Sequence, residues 1–224
     1  MSLALEDLTT LAKKGQLKTG KDYLFNLKNG NGVRQDAAFD PSIVYHEHTH
    51  GLSNRLVGGG SAACLSGLQS GGMGEGWSDW IAAGILNNPV IGAYVTGNAA
   101  TGARRASMAR SPFTLADVKS GNLVDAHDIG ELWAAVLWDA RTAIGGPVVC
   151  SCVVTGMKMT PCSPTILQAR DALLQADAAI TGGANRCKLW RVFAARLMGV
   201  GASSPNHNST TQIVTSNAVP ADCR

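Results

Sequence analysis

Two histidines four residues apart, His46 and His50, stand just behind a helix start at Asp40-Pro41, and that placement constrains the fold more than any other feature of the chain. An aspartate at the cap position accepts a hydrogen bond from the first free N–H groups, and a proline in the first turn already has helical φ. The pattern predicts a helix over residues 41–56, ended by Gly58, Gly59 and Gly60. Residues four apart share one face of a helix, so His46 and His50 reach the same point in space. The run His46-Glu47-His48-Thr49-His50 fits H-E-x-x-H, and three of the chain's five histidines lie in it. Glu47 falls about 100° round the helix from His46, beside a metal held by the two imidazoles rather than on it. That position suits a base that takes a proton from a water at the metal. His48 points away from the metal face.

A catalytic zinc ordinarily takes a third protein ligand and keeps one position open. Glu75 in Gly74-Glu75-Gly76-Trp77-Ser78-Asp79 is the candidate. Asp79, one turn on, is placed to accept a hydrogen bond from the second ring nitrogen of His46, which fixes the tautomer of a ligating imidazole. Either motif alone has a plain reading, an exposed helix face; the two together, joined by a glycine-rich stretch, point to one metal centre.

The rest of the chain reads as mainly helical with a few short strands. Helices are expected over residues 3–14, 75–86, 125–144, 163–180 and 185–198, and a strand over residues 23–27 followed by the turn-forming Asn29-Gly30-Asn31-Gly32. Glycine-rich residues 58–74 and residues 90–124 read as mostly irregular, Gly145-Gly146-Pro147 as a helix stop, and the polar tail after Val200 as weakly structured. Trp77, Trp80, Trp133, Trp138 and Trp190 stand at helical spacings and read as core. This gives three segments: residues 1–39, a helical unit over 40–202, and a tail over 203–224.

A formal net charge of +3 on 224 residues gives no electrostatic case for nucleic acid or an anionic membrane as partner. No apolar run is long enough to span a bilayer. Glu6 and Asp7 interrupt the start of the chain, so it does not read as a signal peptide. Six cysteines without C-x-x-C spacing fit disulfides better than a structural zinc site, and sequence alone leaves their pairing open. Asn208-Ser209-Thr210 is a sequon, of consequence in a eukaryotic secretory route.

The stretches from His46 to Leu56 and from Gly71 to Asp79, with His127-Asp128-Ile129-Gly130-Glu131-Leu132-Trp133, Pro161-Cys162-Ser163-Pro164-Thr165 and Gly182-Gly183-Ala184-Asn185-Arg186-Cys187, resemble the fungalysin family of secreted zinc metalloendopeptidases. The resemblance runs from about Asp40 to Ala202. It implies the helical catalytic lobe of a thermolysin-like peptidase, secreted and extracellular, acting on protein or peptide substrates and made as a precursor with a propeptide. It places the zinc ligands at His46, His50 and Glu75, the base at Glu47 and a transition-state histidine at His127. Arg104 resembles an arginine that holds a substrate carbonyl, with Arg105 competing for that assignment. Glu131, one turn after His127, is placed to orient it, to cap the helix or to stay solvated. Cys162 and Cys187 resemble the family's disulfide. Two departures stand out. The strand-rich lobe that the family places before the zinc helix is reduced or absent here, and no tyrosine lies between His50 and Glu75 to assist His127. Two other functions share the zinc motif: an aminopeptidase, for which no acidic anchor for a substrate amine is evident, and a non-catalytic zinc-binding fragment, which would have no use for Glu47.

Overall fold

A computed structural model describes residues 27–28, 33–34, 36–60 and 63–224. The helix expected over 3–14, most of the strand over 23–27 and the turn over 29–32 lie outside the described residues. Among the described residues the fold is mainly helical, as expected. Strands β1 (Leu27–Lys28) and β2 (Val33–Arg34) pair antiparallel, with Leu27 opposite Arg34. Eight helices come after them: α1 (Pro41–Leu56), α2 (Leu68–Leu86), α3 (Ala93–Thr96), α4 (Leu115–Ser120), α5 (Ala126–Ile144), α6 (Gly146–Met159), α7 (Ile166–Thr181) and α8 (Arg186–Ala195). None is long and apolar enough to cross a membrane.

Asp40 does more than cap α1. Its Oδ1 accepts from Ser42 N–H at 3.0 Å, and its Oδ2 accepts from the N–H groups of Tyr94 and Val95, both at 3.1 Å. One buried carboxylate therefore fixes the starts of α1 and α3 together. The buried stripe of α1 is polar, comprising Ser42, His46, Thr49 and Ser53. An amphipathic helix ordinarily buries an apolar stripe; here Thr49 and Ser53 donate back to carbonyls of α1, Ser42 bonds Asp40 and Gly92, and His46 meets Asp79 on α2.

Helix α2 begins at Leu68, inside the stretch expected to be loop through Gly74. Gly71, Gly72 and Gly76 are tolerated because they are the contact surface for α5. A Cβ on Gly76 would lie 2.8 Å from Gly130 O and from Trp133 Cβ, and one on Gly130 would lie 2.5 Å from Glu75 Cβ. The two backbones thus meet without side chains between them. Flanking this crossing, Met73, Trp77, Trp80, Ile129, Leu132, Trp133 and Leu137 form the main apolar core. Trp138 and Trp190 are only partly buried and lie under the guanidinium groups of Arg141 and Arg170.

Gly145-Gly146-Pro147 ends α5 but also starts α6, with the proline in the first turn. That helix was not expected. The tail also corrects the expectation: it pairs at Ser203–Val214 and Met198–Ser216, and it buries Ile213. Its residues cap α2, since Leu68 N–H donates to Asn208 Oδ1 at 3.0 Å and Gln69 N–H to His207 O at 2.7 Å. The disulfides are Cys64–Cys162 and Cys187–Cys223, so Cys162 does not pair with Cys187. The tail carries the true partner of Cys187, a link that spans 36 residues and leaves no mark in either local sequence. Cys150 and Cys152 are free.

Candidate metal centre

Helix α1 presents His46 and His50 one turn apart with their Nε2 atoms 3.0 Å from each other. The rings stand edge to face, centroids 4.7 Å apart. Helix α2 brings Glu75 between them, with Oε2 3.3 Å from His46 Nε2 and Oε1 3.4 Å from His50 Nε2. One ligand atom from each of the three residues falls within 4.8 Å of the others. Glu75 Oε2 is buried and has no hydrogen-bond partner among the described residues. A buried carboxylate oxygen left unpaired is costly.

The tautomer of His46 is set by its other nitrogen. Nδ1 lies 2.7 Å from Asp79 Oδ1, an acceptor, so Nδ1 carries the proton and Nε2 keeps its lone pair for the cluster. Two imidazole nitrogens facing each other beside a carboxylate need a cation among them. In the metal-free protein a proton fills that need. Burial opposes a charge on His46, yet the hydrogen bond to Asp79 and the negative charges of Asp79 and Glu75 outweigh it and raise its pKa to about 9. Burial and the neighbouring His46 lower the pKa of His50 instead. Burial likewise opposes the charge on Glu75, but His46, His127 and His50 hold its carboxyl below the usual range. Two nitrogens and one carboxylate oxygen, with an orphaned oxygen aimed at them, are a donor set that suits a zinc-like divalent ion.

Asp79 is completely buried and is gripped from its other side by Arg104, whose Nε donates to Oδ2 at 2.7 Å and whose Nη2 donates to Oδ1 at 2.8 Å. Burial opposes its charge, but His46 and Arg104 together hold the carboxyl well below the usual range. Arg104 Nη2 also approaches Glu75 Oε2 at 3.6 Å. Arg105 is engaged elsewhere: its guanidinium meets Asp128 at 2.9 Å, the carbonyl of Asn122 at 3.0 Å and the face of Phe113. Of the two arginines, only Arg104 reaches the cluster.

His127, at the start of α5, is largely exposed, and its Nε2 lies 3.5 Å from Glu75 Oε2. Glu131 does not orient it. The Glu131 carboxylate is buried and accepts from Arg105 N–H at 3.1 and 3.2 Å. Glu47 and His48 are both exposed on α1. The grip of Arg104 on Asp79 and the hold of Glu131 on the backbone at Arg105 join residues 25 and 26 positions apart, and no local pattern signals either.

Residues 9–202 match the family described as Fungalysin metallopeptidase (M36). The chain is similar to a protein of Fusarium vanettenii named Extracellular metalloproteinase MEP, 41% identical over 223 residues that cover 84% of this chain and 34% of that one. It is similar to Extracellular metalloproteinase mep of Aspergillus fumigatus, 40% identical over 80% of this chain and 33% of the relative. To Extracellular metalloproteinase 9 of Uncinocarpus reesii it is 37% identical, over 94% of this chain and 37% of the relative. The chain spans about a third of the length of these curated relatives.

Proposed function

The chain belongs to the fungalysin metallopeptidase family, and from that premise we propose that it carries the metal centre of a secreted zinc endopeptidase acting on protein substrates. The observation that carries this reading is the convergence of His46 Nε2, His50 Nε2 and the orphaned Glu75 Oε2. These three residues would hold the ion, which when bound would act as a Lewis acid and make a water reactive enough to attack a peptide carbonyl.

The remaining roles belong to the protein. Glu47, next to His46 and free of the cluster, takes the proton of the attacking water and passes it to the leaving amine. His127 donates from Nε2 to the carbonyl oxygen as that oxygen gains charge. Asp79 fixes the ring of His46, and Arg104 fixes Asp79. Nη1 of Arg104 makes no hydrogen bond among the described residues, which leaves it for a substrate carbonyl. The extracellular relatives support secretion, and a precursor with a propeptide fits the same reading.

The test is cleavage of an internally quenched peptide blocked at both ends, using protein made from the complete gene. Glu47→Gln should retain one zinc per chain and lose activity by roughly 10²–10⁴-fold. His50→Ala should lose the zinc itself. His127→Ala should lower kcat by about 10²–10³-fold with little change in KM. Undiminished cleavage by the Glu47→Gln protein would overturn the mechanism.

A further inference from the structure

Glu131 is a buried carboxylate whose nearest cationic nitrogen among the described residues, Arg105 Nε, is 3.6 Å away. A buried charge ordinarily needs close pairing. Here both oxygens are turned to backbone, sharing Arg105 N–H at 3.1 and 3.2 Å. The side chain of Arg105 reaches back to Asp128, on the same helix one turn earlier. Helix α5 thus holds the residue next to Arg104 by both its backbone N–H and its side chain. Before Arg104, the segment is held by Ala103 N–H donating to Ile91 O at 2.8 Å.

What this segment delivers is the Arg104 fork on Asp79. A guanidinium donates in a fixed plane, so a bidentate grip needs its stem to start from a set place. Asp79 in turn holds Nδ1 of His46. The contacts form one continuous series, from Glu131 on α5, through the backbone at Arg105 and the side chain of Arg104, to Asp79 on α2 and His46 on α1.

We propose that Glu131 is a positioning residue for the metal centre, holding the chain at Arg105 so that Arg104 keeps Asp79 on His46. This rests on the reading of His46, His50 and Glu75 as the ligands. Its effect is on how well the His46 ring is held before any metal arrives, and not on contact with metal or substrate.

Zinc affinity, measured by competition with a chromogenic chelator on protein from the complete gene, tests it. Partners behind a metal ligand typically change affinity by about 10–100-fold. Glu131→Gln keeps the shape and removes the charge; it should weaken zinc binding by about 10-fold, and Arg104→Lys, which cannot form the fork, by at least as much. The double variant should bind about as weakly as Arg104→Lys alone, because both changes break the same series. In the metal-free protein, Glu131→Gln should also shift the ring nitrogen resonances of His46. If the unaltered protein binds no zinc, the ligand assignment fails and this inference with it. If it binds zinc and Glu131→Gln binds equally well, or if the two losses simply add, this inference alone fails. Should Glu131→Gln not fold, Glu131→Asp, which withdraws the charge by one methylene, should show an intermediate affinity, and an unchanged affinity would overturn the role.

Discussion

The block made by α1, α2 and α5 and the block made by α6, α7 and α8 are built on different terms. The first buries Ser42, His46, Thr49, Ser53, Asp79 and Glu131 and lets two helices touch through glycine. The second buries Val149, Val153, Met157, Leu167, Leu173, Leu189 and Phe193, and disulfides anchor its connecting loop and its last helix. Its buried thiol, Cys152, shows the same apolar character: burial, helped by the charge of Asp177, pushes its pKa up to about 11. Hydrogen bonds and close backbone contacts are directional and fix positions. Apolar contacts and cross-links supply cohesion and tolerate small shifts. The lesson is that the first block adds to its apolar core the directional contacts that place the candidate metal centre, while the second is held by apolar packing and cross-links.

The largest effect should come from the second block. Cys64–Cys162 closes a loop of 98 residues and Cys187–Cys223 one of 36. In the chain-entropy view, losing the longer link costs about 4–5 kcal/mol and the shorter about 3–4 kcal/mol. Replacing Cys187 and Cys223 by serine should lower the melting temperature while zinc stoichiometry stays at one per chain. Loss of zinc from that variant would break the division of labour.

A smaller cost in stability but a larger one in binding is expected at the crossing of α2 and α5. Gly130→Ala puts a methyl against Glu75 Cβ and Gly76 N. Overpacking of this kind costs roughly 1–3 kcal/mol. Because Glu75 must move, zinc affinity should drop with it, whereas a second-block change of equal cost, such as Val153→Ala, should leave affinity intact. Calorimetric melting paired with zinc titration compares the two variants directly.

The remaining effect is one of pH. The folded pKa of His46 in metal-free protein is raised to about 9 from 6.5. Its pairing therefore contributes stability fully below about pH 6.5, and that contribution is lost as pH rises through about 9. Glu75 and Asp79 are shifted down, so their contribution is present above the ordinary carboxylate range and lost as pH falls. The metal-free protein should melt progressively lower between pH 6.5 and 9, and the zinc-loaded protein should not share that decline, because metal displaces the proton. An identical decline in both forms would show that the decline does not come from His46.

Where the sequence was legible, a local cause was at work. Asp40-Pro41 and three glycines mark the ends of α1, and Asp125 caps α5 through the N–H of Asp128. The spacing of His46 and His50 gives their shared face directly. The failures have a common origin in contacts between distant residues. Glycines 71 and 72 look like a loop until α5 is there to pack on them. Gly145-Gly146-Pro147 is both a stop and a start, and the packing of α6 against α7 decides that a helix resumes there. No pattern near Cys187 reveals that its partner is Cys223, and none near Glu131 that it serves the backbone at Arg105 rather than His127.

The cap on α2 has a consequence in time. Leu68 opens the helix that carries Glu75 and Asp79, yet the acceptor for its N–H, Asn208, is made 140 residues later. At roughly 5–20 residues per second, ribosomes need about 7–28 s to cover that distance. Throughout that interval the first turn of the metal-bearing helix has no Asn208 to bind, and the Gln69 side chain lacks Ser204 and Asn206 to hold it. His46, His50 and Glu75 are synthesised early, but the frame around Glu75 closes only as residues 204–208 arrive.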